Sequence, residues 1–230
     1  SSLLRVKTFD EALNHFKAGY FSAALLMNRD NFVKDIEAFL KMPTWDEGAF
    51  LKQLMQKYQA TPEMLFQRIT NVLPYLVGLD KIFFLRFIHH KKTNKFEINK
   101  ELHLNRRHQP HSNGLDEHYC RRWISVSLLE DLQKSALTNP HLAQYSEENP
   151  LSQFMFGIQR SKYHRSNDEY LCFTIARPDS NPHRNISVTI GILIDNEANQ
   201  RIKMLDDPLI QQRDVAVTCE RCSVFDCAER

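Results

Sequence analysis

The chain closes on Val217-Thr218-Cys219-Glu220-Arg221-Cys222-Ser223-Val224-Phe225-Asp226-Cys227-Ala228-Glu229-Arg230, a stretch holding three of its five cysteines in the spacing Cys-x2-Cys-x4-Cys. A Cys-x2-Cys turn sets two sulfurs on one side of a tight loop, close enough to share a metal, and Cys227 adds a third thiolate. Tetrahedral zinc and iron–sulfur clusters both take four soft ligands, so a fourth must come from elsewhere. The expected donor is Cys120, in Tyr119-Cys120-Arg121-Arg122-Trp123. Cys172 sits in Tyr170-Leu171-Cys172-Phe173-Thr174-Ile175-Ala176, an apolar, β-prone run in which it reads as a small buried hydrophobe. Disulfides, the competing reading of the tail, suit small secreted domains with poor cores. A chain of 230 residues that is 42% hydrophobic buries a core without them. Spacing alone leaves zinc and iron–sulfur both open.

Composition bounds the protein that must hold these residues. Charged residues at 25%, aromatics at 10% and only six glycines describe an ordinary globular chain rather than a disordered or fibrous one. No apolar run approaches the roughly 20 residues of a membrane span. The opening Ser1-Ser2-Leu3-Leu4-Arg5 is too short for a signal peptide, and with reduced cysteines this points to the cytoplasm. A net charge of +2 says little about nucleic acid. The chain opens inside what reads as a helix, so it is expected to be part of a longer protein.

Residues 10–73 read as helical, from apolar residues at helical spacing: Phe16, Tyr20, Ala23, Ala24 and Met27, then Phe32, Ile36, Phe39 and Leu40. Asn28-Arg29-Asp30 separates the two, Met42-Pro43-Thr44 ends the second, and Asp46 is placed to cap a third. Thr61-Pro62 then has the residue types of an N-cap and first helical position. The pair spanning 51–72 has helix-turn-helix spacing, with Gln67 and Arg68 as its only candidate base contacts; a packed helical pair is the stronger reading. Beyond Pro74 the character turns to strand. Runs over 81–89 and 96–104 suggest one hairpin, 154–159 and 170–177 a second, and 185–194 the strongest single strand. A short helix is expected over 123–134 and another over 196–204, capped by Asp195. Residues 105–118 read as a loop carrying His108, His111 and His118. A zinc site of His111, His118 and Cys120 competes there with ordinary solvated histidines, which explain the pattern more simply. The expected fold class is α+β: an N-terminal helical segment (1–74), a mostly antiparallel sheet with flanking helices (75–216), and the cysteine-rich tail (217–230).

Two stretches resemble a known family, the short-chain fatty acyl transcriptional regulators. Phe16-Lys17-Ala18-Gly19-Tyr20-Phe21-Ser22-Ala23-Ala24-Leu25-Leu26-Met27 resembles its "ExANYFAAALLMP" segment, and the tail is similar to its closing "VTCERCxxxxCxER". Tyr119-Cys120-Arg121-Arg122-Trp123 is similar to the family's "CPxW" element, with Arg121 in place of the proline. The resemblance implies a GAF-like sensing domain that binds a short-chain acyl-coenzyme A and holds a 4Fe–4S cluster on Cys120, Cys219, Cys222 and Cys227. It further implies a homodimer, and promoter DNA bound through an N-terminal helix-turn-helix outside this chain. It does not imply peptidase activity. The family's peptidase relatives carry His-Glu-x-x-His, which this chain lacks, and the glutamate expected as a metal ligand is Lys17, whose ammonium cannot bind zinc. No enzymatic activity is therefore expected.

Coenzyme A needs basic side chains for its phosphates and an apolar slot for the acyl end. Arg86, Arg106, Arg107 and Arg177 are the candidate phosphate contacts; Phe83, Phe84, Phe87, Phe154, Phe156 and Ile190 are the candidate slot. Two other functions compete with the sensor: a fragment of a metallopeptidase relative, and a structural zinc domain that mediates interactions.

Overall fold

The computed structural model describes residues 8–104, 117–139, 150–164, 166 and 168–229. Four helices come first: α1 (Phe9–Leu26), α2 (Arg29–Leu40), α3 (Ala49–Tyr58) and α4 (Pro62–Val72), the last running into a π-helical turn, Leu73–Val77. Their starts are written in local chemistry. Asn28 Oδ1 accepts from the amides of Asp30 and Asn31, and Thr61 Oγ1 accepts from Met64 with Pro62 at the first position. Asp46 takes the amides of Gly48 and Phe50 at 3.1 and 2.8 Å, organising the start of α3 from two residues upstream of its cap.

Six strands follow, β1 (Ile82–His90), β2 (Lys95–His103), β3 (Met155–Tyr163), β4 (Glu169–Pro178), β5 (Arg184–Leu193) and β6 (Gln212–Val215), with α5 (Ile124–Thr138) and α6 (Asn196–Arg201) between them. Their order in the sheet is β2-β1-β5-β4-β3-β6, antiparallel throughout except for the parallel β3–β6 pair. This is the expected α+β class, with a mixed, curled sheet consistent with a GAF-like fold. Strands β1, β4 and β5 are buried almost end to end, because both faces of the sheet are covered.

Strand alternation divides the core in two. One face carries Phe84, Leu171, Phe173, Ile175, Val188, Ile190 and Ile192, and packs beneath α1–α4. The other carries Phe83, Leu85, Phe87, Tyr170, Cys172 and Ala176, and packs against α5 and the segment around Cys120 and Trp123. The N-terminal helices and the sheet thus share one hydrophobic core, and residue 74 separates elements rather than cores. The face under α5 is lined by small and polar residues of β5. Ser125 Oγ meets Thr189 Oγ1 at 2.7 Å, and Ser187 donates to the Ser125 carbonyl at 2.9 Å. Gly191 belongs to the same face, where an added Cβ would lie 2.2 Å from the Phe83 ring. We expect Gly191→Ala to destabilise the fold by about 1–3 kcal/mol through this overpacking. An unchanged denaturation midpoint would contradict it.

The helix-turn-helix candidate is a packed pair. On α4, Leu65, Phe66, Arg68, Ile69 and Val72 are buried, and Arg68 Nη2 donates to the Met27 carbonyl at 3.2 Å. A guanidinium turned into the protein does not reach a DNA groove. No helix among the described residues is long and apolar enough to cross a membrane. Strand β6 is absent from the sequence-based expectation, and α5 extends four residues beyond the expected 134.

Candidate metal centre

Cys120 lies just ahead of α5, where its carbonyl accepts from the Trp123 amide at 3.1 Å, in the turn that leads into the helix. Trp123 is buried against Phe87, which also meets Tyr119 edge-on at 5.1 Å, so aromatic packing holds this turn to the sheet. The chain after β6 returns alongside it. Tyr119 and Thr218 form a single antiparallel bridge, the Cys120 amide donates to the Val217 carbonyl at 3.3 Å, and the Cys219 amide donates to the His118 carbonyl at 2.8 Å. Two polar pairs flank the bridge. Glu220 takes the His118 amide at 2.8 Å and contacts His118 Nδ1 at 2.7 Å, while Glu117 takes both Nε and Nη2 of Arg221 at 2.6 Å. Residues about a hundred positions apart are thereby clamped side by side.

The Cys-x2-Cys turn is closed by the Cys222 amide donating to the Cys219 carbonyl at 3.2 Å, and by the Arg221 amide on the buried Thr218 hydroxyl at 3.3 Å. Cys120, Cys219, Cys222 and Cys227 all line one pocket, with Arg121 and Arg122 at its wall. Backbone amides point at the sulfurs: Ala216 at Cys120 Sγ (3.5 Å) and Val224 at Cys222 Sγ (3.4 Å). Burial pushes the Cys120 thiol up, against the amides of Ala216 and Arg122 that favour its thiolate. Burial likewise raises Cys219, opposed by the Arg121 amide. Burial opposes the charge of Arg122, yet the nearby sulfurs of Cys227, Cys120 and Cys222 hold its pKa above the usual range.

By residue type these four sulfurs are the soft donors that zinc and iron–sulfur centres take, and two of them receive backbone amides. The four sulfurs line one pocket but do not meet at a single point. Among the described residues no three Cys, His, Asp or Glu side chains are gathered tightly enough to hold one metal ion. All five cysteines are free thiols. Cys172 lies on β4, away from this pocket, with its thiol pushed up to about 12 by burial.

The other candidates fall elsewhere. His118 is committed to Glu220, and His108 and His111, like Arg106 and Arg107, lie outside the described residues. Arg86 pairs with Glu63 of α4 at 3.1 Å, and Arg177 donates to the Pro178 carbonyl at 2.8 Å. Phe84, Phe154, Phe156 and Ile190 pack on the helical side of the sheet, whereas Phe83 and Phe87 pack on the α5 side. The six apolar residues proposed as an acyl slot therefore do not line a single slot, because odd and even positions of β1 face opposite ways. Three pocket-lining residues escaped sequence reasoning: Arg122, His164 and Asp214. Only Arg122 had a local signal, its position two residues after Cys120. Compared with known protein families, curated proteins and solved structures, the chain matches none.

Proposed function

We propose that this chain is the sensing domain of a transcriptional regulator, built around a four-cysteine centre that binds a 4Fe–4S cluster. The observation that carries the reading is the convergence of Cys120, Cys219, Cys222 and Cys227 on one pocket, across about a hundred residues of sequence, with amides aimed at two of the sulfurs. A bound cluster would supply redox and iron sensitivity. The residues of this chain supply the thiolates, the amides that favour them and the bridge that joins the tail to the start of α5. The clamp between residues 117–120 and 217–221 couples the centre to the sheet through Trp123 and Phe87, so closing the sulfurs around a metal would tighten that face of the domain.

A structural zinc centre is the second reading, favoured by the tight Cys219–Cys222 turn, which suits a zinc ligand pair equally well. Anaerobic purification followed by iron, sulfide and zinc analysis separates the two. A coloured protein with iron and sulfide in near-equal amounts supports the cluster, zinc without iron supports the structural centre, and neither metal at stoichiometry overturns both.

The signal that the domain reads is proposed to be a short-chain acyl-coenzyme A, with the resemblance of the tail and of residues 16–27 as its support. A ligand that binds only the folded state at a hundred times its Kd stabilises by about 2.7 kcal/mol. For a domain of this size that raises the Tm by roughly 5–10 °C. Propionyl- or acetyl-coenzyme A should give this shift and free propionate should not. An unmoved Tm up to millimolar acyl-coenzyme A would remove this ligand class. Gene control would then pass to promoter DNA through a segment outside this chain, in a homodimer confined to the cytoplasm.

A further inference from the structure

One end of the sheet carries more positive charge than the chain as a whole. The β1–β2 turn (residues 91–94) and the β4–β5 turn (179–183) lie side by side there, joined by the Lys91 amide donating to the His183 carbonyl at 3.0 Å. Residues 89–97 and 177–184 hold Lys91, Lys92, Lys95, Arg177 and Arg184 against only Glu97 and Asp179. Five cations against two carboxylates exceed the +2 of all 230 residues, so the rest of the chain is net negative and the positive charge is concentrated here.

Both turns are held in place by their own side chains. Asn94, with a φ of 50°, meets His89 Nε2 at 2.9 Å, and the His89 ring stacks on Phe96 at 4.6 Å. In the other turn Asn181 Oδ1 accepts the His183 amide and its carbonyl accepts the Arg184 amide, both at 3.0 Å. Strand pairing sets Lys95, His90 and Arg184 directly opposite one another on β2, β1 and β5, so they share one face. With neighbouring strands about 4.8 Å apart, Lys95 and Arg184 stand roughly 10 Å apart, and Lys92 lies on the turn beside them. The carboxylates nearby have other partners: Glu97 meets His90 at 3.1 Å, and Asp179 accepts from Ser180 Oγ at 3.3 Å. Further along the same face Arg86 and Lys100 share Glu63. Among the described residues no carboxylate lies within ion-pair distance of Lys92, Lys95 or Arg184.

A small-molecule site is concave and mostly apolar. Here residues 92–95, 182 and 183 are exposed and polar, and the cations form a row rather than a cup. A row of cations suits a polyanion, and duplex DNA presents about one negative charge per 1.7 Å of its axis. Resting on the reading of this chain as part of a regulator that acts on promoter DNA, we infer that this end of the sheet is a sequence-independent contact for the DNA backbone, in which Lys92, Lys95 and Arg184 neutralise phosphates. Such contacts fix a protein's register and orientation on the duplex and carry no sequence information, which is left to the segment outside this chain.

The test is fluorescence anisotropy of a labelled, mixed-sequence DNA duplex titrated with the 230-residue chain. The wild-type Kd should weaken about fortyfold between 50 and 200 mM salt, the dependence expected for about three neutralised phosphates. Each of Lys92→Gln, Lys95→Gln and Arg184→Gln should reduce the salt slope by about one, and the triple variant should lose binding. The control removes the same charge from exposed lysines elsewhere, as Lys34→Gln, Lys41→Gln and Lys203→Gln together, and should keep the wild-type affinity and slope. Unfolding midpoints of all variants should match wild type. If the half-buried Arg184 makes the triple variant misfold, Lys92→Gln with Lys95→Gln decides, and a slope equal to wild type overturns the proposal. Wild-type protein that does not bind the duplex at about 50 mM salt overturns it, as does an equal loss in the control. Displacement of the duplex by equimolar coenzyme A would assign these cations to a small phosphate ligand instead, and polyglutamate bound as tightly as DNA would assign them to an acidic protein surface; either result overturns the DNA contact. A missing thermal shift with acyl-coenzyme A, by contrast, removes the proposed signal and leaves this contact standing.

Discussion

Cys120→Ser is expected to abolish stable metal binding, weakening retention by more than the ten- to hundredfold that follows from losing an outer partner of a ligand. A serine hydroxyl is a hard, protonated donor where zinc and iron–sulfur centres want a soft thiolate. Cys219→Ser and Cys222→Ser should have the same effect on metal content. Cys120 should cost more in stability, because its side chain is 7% exposed and belongs to the core beneath α5, whereas the tail cysteines are half-buried. The contrast that makes the experiment decisive is Cys172→Ser. That thiol is 3% exposed, and burial holds it protonated up to about pH 12, so it is no thiolate at neutral pH. The variant should keep full metal content while losing about 1–3 kcal/mol from a hydroxyl placed in an apolar setting. Metal analysis and chemical denaturation of the same four proteins check both halves. Full metal content in Cys120→Ser, or metal loss in Cys172→Ser, would reverse the assignment of the fourth ligand.

Phe87→Ala is expected to cost about 3–5 kcal/mol, the range for removing a large ring from a close-packed core. For a chain of this length that lowers the Tm by roughly 6–20 °C. Phe87 has no exposed surface, and its ring meets Tyr119 at 5.1 Å and Trp123 at 5.9 Å, both edge-on. These two aromatics bracket Cys120, so the cavity left behind should also loosen the turn that holds the fourth ligand. Phe84→Ala offers the matched control. It is almost as buried, three residues away, but faces the helical layer. Both variants should lose comparable stability; only Phe87→Ala should also release metal faster to a competing chelator. Equal metal retention in the two would show that the sheet does not support the centre. A cost below 1 kcal/mol for Phe87→Ala would contradict the packing itself.

The sequence by itself determined the elements and the ligand types. Apolar residues at helical spacing, the Thr61-Pro62 start and the β-prone runs are local signals, written within one or two turns of chain, and they survive as α1–α4 and β1–β5. The Cys-x2-Cys-x4-Cys spacing is local in the same way, since a tight turn can only place Cys219 and Cys222 together. Strand β6 was illegible for the converse reason: Gln212-Arg213-Asp214-Val215 has no apolar alternation, and it is a strand only because β3 offers an edge for it to pair with. What the tertiary structure alone decided is sidedness and neighbourhood. Phe84 and Phe87 look alike in sequence yet serve opposite cores, because the sheet is covered on both faces. Arg68 looks like a surface base contact until α1 and α4 pack and turn it inward. The nearness of Cys120 to Cys219 depends on the Tyr119–Thr218 bridge, and Cys227 reaches the same pocket only because the tail folds back beside the start of α5. Spacing names ligands that lie within a few residues of each other; only packing brings together those that lie a hundred apart.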